Sequence, residues 1–176
     1  MNKILLTSTV ILGLAFSAKA QKGNNQIQIS AQAAIPLFDL SDVANTGFGI
    51  AGKGMYGFGE VKQQATLEIG YNRFGLKGVP SEMSAHYAAV PIYAGYRYTL
   101  GKFNLEPQVG FSVNKIGVSV DGQSVSVSST SFAWAAGVSY NISKLELGLK
   151  YQSSALKDAD ADLNFVGIRL GYNFSL

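Results

Sequence analysis

Few residues in this chain have the types and spacing that could do chemistry. The single histidine, His86, follows Ser84 by two positions and Glu82 by four, which supplies a nucleophile, a base and an orienting carboxylate in one short stretch. On an extended strand 84 and 86 share a face, so a hydroxyl and an imidazole could meet there. The run Asp158-Ala159-Asp160-Ala161-Asp162 resembles the opening of a calcium loop. Leu163 stands where that loop needs glycine and Arg169 where it needs a bidentate glutamate, so the run reads as a solvated loop and no metal is expected. Two overlapping G-x-G-x-x-G matches, Gly47 to Gly52 and Gly52 to Gly57, lack the helix that a dinucleotide site opens onto, because a strand pattern continues through both. No cofactor is expected, and no cysteine is present.

Seven other charges, Lys53, Glu68, Arg97, Glu106, Glu146, Lys150 and Arg169, fall at regular places in a pattern that is otherwise small and polar. From Gln26 onward the period is two, the signature of strands, and no stretch of a dozen residues carries apolar positions at helical spacing. Eight segments alternate: 26–35, 47–58, 63–73, 86–98, 103–114, 130–141, 144–152 and 163–175. One face of each is apolar without a charge, as in Ala65-Leu67-Ile69-Tyr71 and Leu145-Leu147-Leu149-Tyr151. The other is glycine-rich and polar, as in Thr66-Glu68-Gly70-Asn72 and Gly167-Arg169-Gly171-Asn173.

Charged residues make up 14% of the chain, against roughly 25% in an ordinary soluble domain. A soluble barrel would cover its outer face with lysine and glutamate. Rows that are apolar on one side and narrow and polar on the other suit a barrel with lipid outside and the charges in its lumen. Short and long connections alternate, as they do when tight turns gather at one end of a membrane barrel. Aromatics approach the short turns on the apolar face: Tyr56, Phe58, Tyr96, Tyr98, Tyr140, Tyr172 and Phe174. These read as an interfacial girdle, and Phe48, Tyr71, Phe111, Phe132, Trp134 and Tyr151 form a second band near the long loops. The expected fold is all-β, an eight-stranded antiparallel up-and-down transmembrane β-barrel.

Residues 1–20 read as a signal peptide, with Lys3 at the basic end, an apolar run to Ser17 and Ala18-Lys19-Ala20 as the cleavage site. The barrel domain is then 21–176. Without Lys3 and Lys19 the chain holds 12 basic against 11 acidic residues, which argues against nucleic acid as a partner.

On these alternating rows and girdles, residues 21–176 resemble the small outer-membrane barrels of the OmpX and OmpA transmembrane-domain type. The resemblance implies the outer membrane of a Gram-negative bacterium, contact with membrane lipid and lipopolysaccharide, a monomer, and insertion machinery that reads the C-terminal alternation Val166-x-Ile168-x-Leu170-x-Tyr172-x-Phe174. Such barrels commonly end on an aromatic, whereas this sequence ends Ser175-Leu176. Some relatives are lipid A deacylases or acyltransferases using a serine and a histidine, but the deacylase order is His-x-Ser and here it is Ser84-Ala85-His86. The expected function is therefore non-enzymatic: a side-chain-plugged barrel with a structural role and a surface ligand at its extracellular loops. The alternatives are a narrow porin-like channel and a lipid A deacylase or acyltransferase.

Eight strands leave a lumen that side chains fill, and buried charges there need partners. A turn centred between Glu60 and Val61 sets Lys53 opposite Glu68, and one centred on Gly101-Lys102 sets Arg97 opposite Glu106. Glu146, Lys150 and Arg169 are expected to complete the network. Asp121-Gly122 predicts a hairpin that pairs Phe111 with Phe132. Continued outward, it sends Ile116, Val118, Val125 and Val127 to the inner side, where they are expected to shield the barrel mouth.

Overall fold

The computed structural model describes residues 24–58, 62–80, 83–120, 123–155 and 162–176. The 1–20 leader, Glu82, Asp158 and Asp160 lie outside them. Eight strands, β1 (Gln26–Leu37), β2 (Gly47–Gly57), β3 (Gln63–Gly75), β4 (Met83–Leu100), β5 (Phe103–Val120), β6 (Gln123–Ile142), β7 (Leu145–Ala155) and β8 (Asp162–Ser175), pair in sequence order. β1 also pairs antiparallel with β8, from Gln26 with Ser175 to Leu37 with Asn164, so the sheet closes. A short helix, α1 (Asp39–Val43), lies between β1 and β2.

Tight turns set the register. Gly101 and Ser143 open two-residue loops with φ of 63° and 58°, the left-handed start that a II′ hairpin requires. From these turns each strand runs two-sided. The outer side chains are apolar and uncovered, Ile29 61%, Leu67 64% and Phe111 60% exposed, while the inward Lys53 and Glu68 are 4% and 3% exposed. This inversion of an ordinary soluble protein comes from period-two alternation with the polar parity turned inward. Glycine on the polar parity makes the narrow lumen possible: a Cβ at Gly95 would stand 2.6 Å from Gln108 Cγ and 2.9 Å from the Pro107 carbonyl oxygen.

The strands differ in length in a way that shapes the outer end. β4 and β5 have 18 residues each and β6 has 20, whereas β1, β2 and β7 have 12, 11 and 11. Pairing persists from Met83–Val120 and Val120–Gln123 inward, so three strands rise together beyond the rim. The excess of about seven residues corresponds to roughly 20 Å of strand. Residues 115–120 and 123–129 are thus ladder, where the alternation ends the strands at 114 and resumes them at 130.

Its inner face does not cover the mouth. Ile116, Val125 and Val127 are 49%, 72% and 72% exposed, because the projection carries them above the rim. The mouth is filled instead by Leu40 of α1 with Phe74, Tyr87, Leu163 and Phe165. Phe74 packs edge-on against Phe165 at 5.2 Å and stacks on Tyr87 at 5.7 Å between ring centroids.

Candidate functional site

The inward parity of β2, β3, β4, β5, β7 and β8 brings all seven charges into the lumen, none more than 7% exposed. Lys53 and Glu68 are register partners, with Lys53 Nζ 3.4 Å from Glu68 Oε2 and closer, 2.8 Å, to Glu106 Oε2. Arg97 binds Glu106 at 2.7 Å and Glu146 at 2.7 Å. Lys150 and Arg169, on the last two strands, both reach across to Glu68, at 2.7 and 2.9 Å. The ions form a chain: Lys150 and Arg169 share Glu68, Glu68 meets Lys53, Lys53 meets Glu106, Glu106 meets Arg97, and Arg97 meets Glu146.

Neutral groups extend it. Thr66 donates to Glu106 at 3.0 Å, Gln108 to Glu106 at 2.7 Å, and Arg169 Nε to the Ser30 hydroxyl at 2.9 Å. The Lys150 ammonium lies 4.6 Å from the centroid of the Tyr93 ring, a cation–π contact that partly replaces water. Below the chain, toward the tight turns, Gln64, Thr99, Asn104, Asn141 and Asn173 line a polar vestibule. Above it sits the apolar cap. Sequence reasoning missed that cap, although Phe74, Tyr87 and Phe165 each continue the inward parity of their strands.

The girdle residues of the sequence pattern sit toward the tight-turn end. Tyr56, Phe58, Tyr96, Tyr172 and Phe174 are 39–46% exposed, and Tyr98 and Tyr140 are partly covered. Phe58 meets Tyr96 and Tyr172 meets Phe174, at 6.1 and 4.8 Å, while Lys102 lies 5.9 Å from the Tyr140 ring.

At the other end the apolar outer face stops at one cross-strand row: Arg73 opposes Ala88, and Ala88 opposes Lys115. His86 stands one outward position beyond, against the Cβ-less face of Gly117. It therefore lies beyond the row at which the outer face ceases to be apolar. Partial loss of water, then the Arg73 and Lys115 charges, lowers its pKa below the ordinary histidine value. Ser84 pairs with Ser119 further out and is exposed. Among the described residues no carboxylate forms an ion pair with His86.

A closed, inverted eight-stranded barrel with a salt-bridged lumen defines the class of outer-membrane β-barrels. The chain belongs to the outer membrane protein beta-barrel domain family, whose family model matches residues 7–174. Among solved structures it is similar to Ail, the attachment invasion locus protein of Yersinia pestis, with a TM-score of 0.67 and 22% identity over 88% of this chain and 100% of that one. Neisserial surface protein A is similar at TM-score 0.57 and 15% identity, over 86% and 97%. The N-terminal β-barrel domain of Pseudomonas aeruginosa OprF is similar at 0.55 and 14%, over 87% and 100%. No curated protein matches the chain. The protein is an outer-membrane β-barrel.

Proposed function

We propose that this barrel is a monomeric, non-conducting surface protein that works through its outer end, with the seven lumen charges as a structural plug. The observation that supports this reading is an ion chain from Lys150 to Glu146 beneath an apolar cluster of Leu40, Phe74 and Phe165. A solute would have to break buried ion pairs to pass, each costing several kcal/mol. Reconstituted in planar bilayers, the barrel is expected to give no steady single-channel step. A large, constant conductance would replace this reading with the narrow porin-like channel.

Residues 1–20 direct export and are removed before Gln21, the insertion machinery reads β8, and the aromatics from Tyr56 to Phe174 hold the inner interface. The contact surface for a ligand is the projection of β4, β5 and β6. At its base Arg73 and Lys115 cap the apolar belt in one row, at the depth where lipopolysaccharide phosphates lie. A cation near a charged membrane surface contributes about 1 kcal/mol. Replacing both Arg73 and Lys115 by alanine is thus expected to weaken lipopolysaccharide binding about fivefold per residue at low salt. An unchanged affinity in a titration with lipopolysaccharide micelles would remove that contact from the reading.

The barrel is not an enzyme in this reading. His86 faces two cations, which favour a neutral imidazole but do not orient one as a carboxylate does. The lipid A profile of a Ser84→Ala or His86→Ala strain should match wild type, and a lost or gained acyl chain would restore the deacylase alternative.

A further inference from the structure

The buried ions do not balance. Among the described residues, four lumen cations, Lys53, Arg97, Lys150 and Arg169, face three carboxylates, Glu68, Glu106 and Glu146, and all seven are at least nine-tenths buried. The surplus has a definite place. Glu146 ends one side of the chain on Arg97, while the other side ends on two cations, Lys150 and Arg169, that share Glu68 with Lys53.

Alongside the network lies a cavity of about 20 Å³, against the roughly 10–15 Å³ that one water-sized body needs. Its wall includes Lys53, Lys150 and Arg169, and also Glu106 and Glu146, whose carboxylates are already held by Lys53 and Arg97. The three cations also share Glu68 behind the wall and the two carboxylates share Arg97, so the network around the cavity as a whole, four cations against three carboxylates, carries one positive charge over. The room comes from Gly137 and Gly148, which bring no side chain to the lumen. Gln108, 3% exposed, also lines the cavity and its Oε1 is unpartnered, so the site takes a donor such as a water beside any ion.

We infer that this cavity binds one small monovalent anion, chloride, which neutralises the surplus charge shared by Lys53, Lys150 and Arg169. Isolated buried charge is costly, and a resident halide removes that cost without breaking the pairs to Glu68. It is a structural ion and requires no conduction through the cap.

Two measurements on the full barrel, refolded in detergent, test the inference. Crystals soaked in bromide should show one anomalous peak in the cavity near Lys150. In urea unfolding at matched ionic strength, 150 mM chloride should raise the folded-to-unfolded ratio about tenfold over gluconate, for a dissociation constant on the order of 15 mM. Lys150→Met removes the surplus charge and should abolish the difference between the salts. Gly137→Ala leaves every charge in place and adds a methyl whose position lies 3.6 Å from the Leu149 carbonyl oxygen and 3.9 Å from Lys150 Cβ. It should shrink the site and reduce the halide effect while the barrel still folds. No bromide peak, or equal midpoints in the two salts, overturns the inference, and the cavity is then a water site.

Discussion

Replacing Glu68 by glutamine is expected to cost the barrel about 3–5 kcal/mol, the range seen when one partner of a buried ion pair is removed. The reason is its position as the most shared anion of the lumen. Its carboxylate meets Lys150 at 2.7 Å, Arg169 at 2.9 Å and Lys53 at 3.4 Å, and each of those cations is at least 93% buried. Glutamine keeps the shape and one acceptor but leaves three cations around a neutral amide. Urea titration of the refolded barrel, read by the mobility difference between boiled and unboiled samples, measures the loss. The double variant Glu68→Gln/Lys150→Met should recover part of it, because one stranded cation leaves with its partner. A Glu68→Gln barrel within 1 kcal/mol of wild type would mean that water reaches these ions and that the lumen is not sealed.

How much of this was legible in the sequence depends on how far a side chain reaches. The eight strands follow from alternation, and the pairings of Lys53 with Glu68 and Phe111 with Phe132 follow from the turn positions read in the sequence at Glu60-Val61 and Asp121-Gly122, because a one-residue slip would turn every apolar row inward. Register fixes Cα partners only. Lys53 lies opposite Glu68, yet its ammonium is nearer Glu106 on β5, since a lysine in an eight-stranded barrel can span to a strand that is not its neighbour. The same reach takes Lys150 on β7 and Arg169 on β8 to Glu68 on β3. No turn arithmetic yields contacts across a closed lumen.

The outer mouth shows a different limit. α1 has five residues, too few to show a helical period, so Leu40 stood in what looked like a polar connection. The inward parity of Phe74, Tyr87 and Phe165 was readable by the extrapolation that placed Ile116 and Val127. That extrapolation gave the correct face for the hairpin and the wrong cover for the mouth, because parity says which side a residue is on and not whether the barrel still encloses that side.

A single arginine on the lipid face gives the last test, and it addresses the inverted sidedness on which everything else stands. Leu67 lies midway along the apolar outer row Ala65 to Tyr71, is 64% exposed, and is flanked by Gly54 and Ala94 on the neighbouring strands. Neither neighbour has a side chain long enough to shelter a guanidinium, so Leu67→Arg presents its charge directly to hydrocarbon. Leu67 is one outward position from the row in which Tyr56 and Tyr96 flank Ala65, so the expected cost is about 1–2 kcal/mol, between the interface and midplane values for such a substitution. The same substitution at Ser128, which is exposed on the projection above the rim, should change stability by less than about 0.5 kcal/mol. Both are measured by urea unfolding in phospholipid vesicles. If Leu67→Arg were as mild as Ser128→Arg, the apolar rows would not be facing lipid, and the belt bounded by Tyr56 and Tyr96 at one end and Arg73 and Lys115 at the other would lose its meaning as a membrane span.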